Sequence, residues 1–399
     1  MRTYLVRAVL GLICLAVSTP LASSQDAGPI KIGLLIIDSG PFATMAKESE
    51  RAARIAVDVL NREGGALGRK FDLVIQSHAG SPASAVSAAT KLAQQAGVTM
   101  ITGAMPSSHA LALSPKLSSL NVILIDGFSQ TADMMTRGCA PNYFRVTPPD
   151  PVIAAMMKTY VAQSGAKTWN LISADYASGH TFAKQFSEMV DSLGGSVQQS
   201  LFAPQGTADY GSYISQLAAP AQGLMVTLYG SDAITFAKQQ KQFGLFDKYK
   251  VVLGNGFAIE SQFDALGDTV LGVVNTLSYH YTLPGKRNAD YVATFSKQAG
   301  RVPYYGDADT MVGLELYRDA VIKSKTTEPA KVREALEGLR SNTIYGDVEM
   351  RAADHHLLRQ LGMGEVVRAP DGRGVAFKVK FLKTGPELYP PPSPECKVR

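Results

Sequence analysis

The chain has little of what most catalytic or membrane-embedded proteins need. Its 399 residues include three cysteines and six histidines, and the histidines are scattered. His355-His356 follows Asp354 without the spacing that would place two ligands on one helix face, which argues against a zinc site. No serine sits in a Gly-x-Ser-x-Gly turn, since Gly127-Phe128-Ser129-Gln130-Thr131 lacks the second glycine. Gly254-Asn255-Gly256 ends before a third glycine could complete a dinucleotide loop, and no Gly-Lys-Ser/Thr phosphate loop occurs. Neither a metal nor a cofactor is expected. Charge of one sign is also scarce: the net charge is +5 with no basic block, which argues against nucleic acid or a membrane surface as partner. After the first 24 residues no apolar run approaches the roughly 18 residues of a membrane span.

Those first residues do carry information. Arg2 and Arg7 precede the apolar stretch 8–17, and Ala22-Ser23-Ser24 offers small residues at a cleavage site, the pattern of a secretory signal peptide over 1–24. Cys14 lies inside the apolar stretch behind Ile13, not behind a small residue, so lipid attachment is not expected. Export to the periplasm leaves Cys139 and Cys396 in an oxidising compartment, each beside prolines, and a disulfide between them is predicted. It would pin the proline-rich tail 386–399, which has too little apolar content to dock by itself.

What fills the rest is regular alternation. Apolar runs of strand length at 30–37, 71–76, 98–102 and 122–125 alternate with helical periods. One runs to about Arg62 with Ala52, Ile55, Ala56, Val59 and Leu60 on one face, and another is opened by Ser81 as N-cap with Pro82 at its first position. The pattern restarts at 168–173, with strands at 195–202, 224–228 and 250–253 and helices near 180–192, 210–217 and 233–243. About 375 mature residues exceed what one core serves, so two α/β lobes with parallel sheets flanked by helices are predicted. Helices at 289–298, 308–323 and 329–339, then strands at 347–351, 364–368 and 375–382, complete the chain, which crosses between lobes more than once. A single linker near 147–151 is the simpler alternative.

Ligands in such sheets bind at the carboxyl ends of strands. There the run Val98-Thr99-Met100-Ile101-Thr102 leads through Gly103, Ala104, Met105 and Pro106 into Ser107-Ser108 at the start of a helix, where unsatisfied N–H groups and the helix dipole favour an anion. Ser107 as a simple helix cap is the other reading of this segment.

Taken together, Ile30-Lys31-Ile32-Gly33 to Ser39-Gly40-Pro41, Asn61-Arg62-Glu63-Gly64-Gly65, the Ser107-Ser108 turn, Asp175-Tyr176-Ala177-Ser178-Gly179 and Gly306-Asp307-Ala308-Asp309 resemble the leucine/isoleucine/valine-binding family of solute receptors for ABC transporters. The resemblance covers nearly the whole mature chain. It implies a type I periplasmic binding fold, two Rossmann-like lobes joined by a three-crossover hinge, with lobe I at 30–146 plus 277–343 and lobe II at 147–276 plus 344–385. It implies a non-enzymatic, monomeric receptor that closes on a small solute and delivers it to permease subunits. A sensor of the same fold that signals to a membrane kinase or chemoreceptor is an alternative, and a secreted α/β enzyme a more distant one.

In that family a serine after the third strand and a hydroxyl after the fourth hold the ligand carboxylate, positions matching Ser107 and Ser129, with Phe128 beside them. Two departures stand out. The loop with Ser178-Gly179 lacks the tyrosine that often precedes its glycine, Tyr176 standing two residues earlier. Gly256 occupies the place of the acid that holds a ligand ammonium, and a buried ammonium without an acceptor is strongly disfavoured. Asp175, Asp307 or Asp309 could substitute, although Asp307 and Asp309 also fit helix capping. Phe128, Tyr176, Tyr229, Phe257 and Tyr305 near strand ends could stack on a planar ligand, with Met45 and Met105 as an adaptable wall. The expected solute is an aromatic or aliphatic carboxylate, or an amide, rather than a branched-chain amino acid.

Overall fold

The computed structural model describes residues 28–398 apart from 371, 384 and 386, so the signal peptide read at 1–24 lies outside the described residues. The first lobe is built on β1 (Ile30–Ile37), β2 (Phe71–His78), β3 (Met100–Thr102), β4 (Ile123–Asp126) and β5 (Tyr143–Arg145). They run parallel in the order β2-β1-β3-β4-β5. The second lobe repeats this plan with β6 (Thr168–Ala174), β7 (Ser196–Ala203), β8 (Gly223–Thr227), β9 (Val251–Gly254) and β10 (Val274–Leu277), parallel in the order β7-β6-β8-β9-β10. Both sheets therefore reverse direction beside their first strand, and that is where an open α/β sheet leaves a crevice.

Further strands then widen each sheet, antiparallel to one another, with the first set joined to β5 in parallel and the second to β10 in antiparallel pairing. β11 (Arg340–Thr343), β12 (Gly346–Arg351) and β13 (His356–Leu358) extend the first to eight strands, and β14 (Leu361–Arg368) with β15 (Val375–Lys383) extends the second to seven. This moves one predicted boundary: residues 344–358, assigned to lobe II from the sequence, belong to lobe I, because β12 pairs with β11 and β13 with β5. The third crossing falls between Leu358 and Leu361, and β10 belongs to the second sheet through its final residue, Leu277.

Burial follows strand alternation. In β1, Ile30 and Ile32 face the helix Ala43–Arg62 through Ala52, Ile55, Ala56 and Leu60, while Leu35 joins the opposite core with Ala88, Ala89 and Leu92. Ser81 does cap the helix Pro82–Gln94, its hydroxyl accepting from Ser84 N at 3.1 Å while Ser84 Oγ accepts from Ser81 N at 3.0 Å. The helix Asp150–Ser164 has no counterpart in the sequence reading. It buries Val152, Ile153, Ala154, Met156, Met157 and Val161, positions spread round its circumference, so no single apolar stripe announces it.

The hinge is tied by one buried ion pair. Arg359, in the third crossing, lies 3.0 Å from Asp309, donates to Ser278 O of the second crossing at 2.8 Å and covers the Tyr345 ring at 4.4 Å. Tyr345 in turn donates to Asp309. The tail adds a further link. Leu388 and Tyr389 are buried in the second-lobe core beside Met156 and Met363, so this segment docks through its own apolar residues, contrary to the reading of its composition. Arg351 of β12 donates to Pro390 O at 3.0 Å, and Cys396 is joined to Cys139 of the first lobe, with Cα atoms 5.1 Å apart. Among the described residues no helix is long and apolar enough to cross a membrane.

Candidate functional site

Loops from the carboxyl ends of both sheets meet in the cleft between the lobes. From the first lobe, Phe42 comes from the turn after β1 and Met45 from the start of the helix that follows, Met105 and Pro106 from the turn after β3 and Ser107 from the start of its helix. Phe128 and Gln130 follow β4, and Tyr305 starts the helix Tyr305–Ser324. From the second lobe, Tyr176 and Ser178 follow β6 and Tyr229 follows β8. Local chemistry sets these loops. Gly103 has φ +88, and a Cβ there would stand 2.4 Å from Leu35 O, so the turn that delivers Met105 and Ser107 requires glycine. Buried Asp126 accepts from Phe128 N at 2.8 Å, Ser129 N at 3.1 Å and the Tyr143 hydroxyl at 2.9 Å, folding the next loop back so that Phe128 and Gln130 reach the cleft.

The lobes touch directly across this cleft. The Tyr229 hydroxyl donates to Gln130 Oε1 at 3.0 Å, the Phe42 and Tyr176 rings meet edge to face at 6.1 Å, and Ser231 N donates to Pro41 O at 3.3 Å. The enclosed volume is about 20 Å³, the room of a single water. Two larger depressions of about 680 and 760 Å³ lie on the surface around Pro284 and Asn342. Arg287 in the first is already paired with Glu63 at 3.1 Å and with Glu315, Arg340 and Arg359 in the second are paired with Glu349 at 2.9 Å and Asp309 at 3.0 Å, and the strand-end loops do not reach either. The small cleft, where the strand-end loops meet, is the candidate site.

No charged side chain lines it among the described residues. Directly behind Ser178 lies Asp150, fully buried at the start of its helix, taking hydrogen bonds from Ser178 Oγ at 3.2 Å and from Thr181. Burial pushes its carboxyl up to about 8, against the pull of the Thr181 hydroxyl and the Arg145 guanidinium. Burial likewise raises the Tyr176 and Tyr229 phenols. No group of three or more His, Cys, Asp or Glu among the described residues could hold a metal ion.

Of the residues singled out in the sequence, Met45, Met105, Ser107, Phe128, Tyr176, Ser178, Tyr229 and Tyr305 come together here. Gly256 lies beneath them with φ +65. A Cβ on it would stand 1.9 Å from the Tyr229 ring, so the ring occupies the space a side chain at 256 would need. Four expectations are corrected. Asp309 is held by Arg359 and Tyr345 in the hinge and neither lines the cleft nor caps its helix. Phe257 is fully buried in the second-lobe core against Phe236 and Phe246. The Ser129 hydroxyl turns away to donate to Ala104 O at 3.3 Å, and half-buried Ser108 lies outside the lining. Ser107 is the first helical residue and its side chain caps nothing, while its helix, Ser107–Leu113, has only seven residues. The alternative acids are also engaged elsewhere: Asp175 is exposed and 2.7 Å from His180, and Asp307 accepts from Tyr304 N and pairs with Arg301.

The sequence reading missed Phe42, Pro106, Gln130 and Asp150. Gln130 directly follows Ser129 in the same strand-end loop, and Asp150 between Pro149 and Pro151 carries a helix-start signal.

A two-lobed α/β chain whose strand-end loops close over a small uncharged cleft defines a solute-binding receptor. The chain belongs to the periplasmic binding protein family, whose model matches residues 29–373. It is 28% identical over 347 residues to the "Leu/Ile/Val-binding protein homolog 7" of Brucella suis biovar 1, covering 82% of this chain and 86% of that protein. Its fold matches a solute-binding protein of an ABC transporter from Rhodopseudomonas palustris BisB5, solved in complex with 3,4-dihydroxybenzoic acid, with a TM-score of 0.82 at 20% identity, covering 90% of this chain and 98% of that one. It also matches a leucine-binding protein from Thermotoga maritima MSB8, with a TM-score of 0.78 at 20% identity, covering 90% and 99%.

Proposed function

We propose that this protein is the periplasmic receptor of an ABC importer, exported with loss of residues 1–24, and that it captures a small aromatic carboxylate between its lobes for delivery to permease subunits. The observation that carries the ligand class is the lining itself. Five rings, Phe42, Phe128, Tyr176, Tyr229 and Tyr305, and two methionines surround a few neutral polar groups, and Tyr229 covers the glycine that stands where amino-acid receptors place an acid for the ammonium. A planar ring suits such walls, and a buried ammonium finds no carboxylate among them. The Ser107 hydroxyl and the Gln130 amide are the donors for the carboxylate. The Rhodopseudomonas palustris neighbour holds an aromatic acid of this kind. The names of the Brucella relatives favour a second reading, a branched-chain amino acid.

A thermal-shift screen separates the two, since a solute that binds only the native state raises the melting temperature by mass action. Benzoate-type acids should raise it and leucine, isoleucine and valine should not; the opposite pattern would overturn the reading. Ser107→Ala should weaken binding of the selected acid about tenfold or more while the protein stays folded.

A further inference from the structure

We infer that residues 390–396 form a strut, a stiff fourth crossing anchored in both lobes that limits how far they part. The strut works in the same way whichever solute fills the cleft.

Both ends of this segment are fixed. At the second-lobe end Gly385 lies against the third crossing, where a Cβ would stand 2.6 Å from Arg359 O, and Leu388 N donates to Gly385 O at 2.9 Å. That turn seats Leu388 and Tyr389 in the second-lobe core. On the first-lobe side Arg351 of β12, itself held by Asp354, donates to Pro390 O at 3.0 Å. Six residues on, Cys396 is bonded to Cys139, and Cys396 N closes a turn by donating to Ser393 O at 3.0 Å. The chain leaves one lobe at Tyr389 and is covalently part of the other at Cys396.

What lies between is stiff. Pro390, Pro391, Pro392 and Pro394 make four prolines in five residues. Each pyrrolidine ring fixes its own φ and restricts the residue before it, so Tyr389 and Ser393 are confined as well. A proline-rich segment is a semi-rigid spacer, whereas a glycine-serine segment of the same length coils. A coiling tether would leave the spacing of the lobes free over its slack. A stiff one resists stretching and buckling alike, and so holds Tyr389 and Cys139 near one separation. Lobe motions that change this separation are resisted, which narrows the range of open arrangements the solute-free protein samples. Closing on a solute then forfeits less conformational freedom.

Small-angle X-ray scattering and amide hydrogen exchange on the solute-free protein test this with two variants. One carries Cys139→Ser with Cys396→Ser and cuts the strut. The other carries Pro390→Gly, Pro391→Gly and Pro392→Gly, and softens it with the bond intact. In both, the radius of gyration should rise by about 1 Å, against the roughly 21 Å of a compact chain of this length. The Ser231 amide, which donates across the cleft to Pro41 O at 3.3 Å, should exchange about tenfold faster relative to amides inside β8. A tail that only adds stability would leave the radius and this ratio unchanged in the glycine variant, and that result overturns the inference. So does a change confined to the serine variant, which would make the segment a slack tether. The glycine variant decides the matter even if the serine variant does not fold.

Discussion

Replacing Gly256 by alanine should weaken closure as well as folding. Two terms enter. At φ +65 an L side chain carries a backbone cost of about 1 kcal/mol, which applies whether the lobes are open or closed. The added Cβ would also stand 1.9 Å from the Tyr229 ring, forcing that ring off its seat and breaking its hydrogen bond to Gln130. Gln130 belongs to the opposite lobe, so this second loss, about 1 kcal/mol for a neutral hydrogen bond, is felt only in the closed form. The melting temperature of the free protein should fall by about 2 °C, and the dissociation constant of a bound aromatic acid should rise about fivefold. Tyr229→Phe should reproduce the loss of affinity without the fall in stability, since it removes the hydroxyl and leaves the ring. Differential scanning calorimetry and isothermal titration measure the two quantities separately. If both variants bind as tightly as the unaltered protein, the contact between Tyr229 and Gln130 contributes nothing to closure and the reasoning fails.

Asp309→Asn should lower stability by about 3 to 5 kcal/mol in chemical denaturation, because it strands the buried Arg359 guanidinium, and a loss under 1 kcal/mol would show that the hinge does not depend on this pair. Serine at both Cys139 and Cys396 should cost about 2 to 5 kcal/mol, somewhat under the roughly 5.5 kcal/mol that chain entropy gives for a separation of 257 residues, and an unchanged denaturation midpoint would refute it. Stability should fall as pH rises from 7.5 to 8.5. Burial raises Asp150 and Glu260 to about 8, so over this range the folded chain holds protons that the unfolded chain, with ordinary carboxyls, has already released. The buried histidines His78 and His280, lowered to about 4, act in the opposite direction only while unfolded imidazoles still hold protons, up to about one pH unit above their ordinary value near 6.5, and so leave this window clear. Melting temperatures across it should decline, and less steeply in Asp150→Asn; a flat profile would contradict the assignment.

The paired α/β plan was readable because each parallel strand is a short apolar run and each flanking helix carries one stripe, as in β1 and the helix Ala43–Arg62. Elements that break those rules were not. β5 and β13 have three residues each, too few for a period, and the helix Asp150–Ser164 is apolar on several sides. Site residues on strand-end loops were readable by position, which is how Ser107, Tyr176 and Tyr229 were reached. Whether a side chain turns toward the cleft depends on partners distant in sequence. Asp309 looked free because Arg359, its partner, comes 50 residues later, and Phe257 looked available until Phe236 and Phe246 enclosed it. Ser129 differs from Gln130 by one step along the loop, and only the Ala104 carbonyl that takes its hydroxyl decides which of the two faces the solute.

The bond between Cys139 and Cys396 closes residues 139–396 into a covalent ring that contains the entire second lobe, all three crossings and half of the first-lobe sheet. A protease that nicks any exposed loop within that ring opens the chain without releasing a fragment. The pieces stay joined, and their lobes remain at the high mutual concentration that a tether enforces. In a compartment where damaged chains are not rebuilt from within, such a receptor can be cut once and still hold both walls of its cleft together.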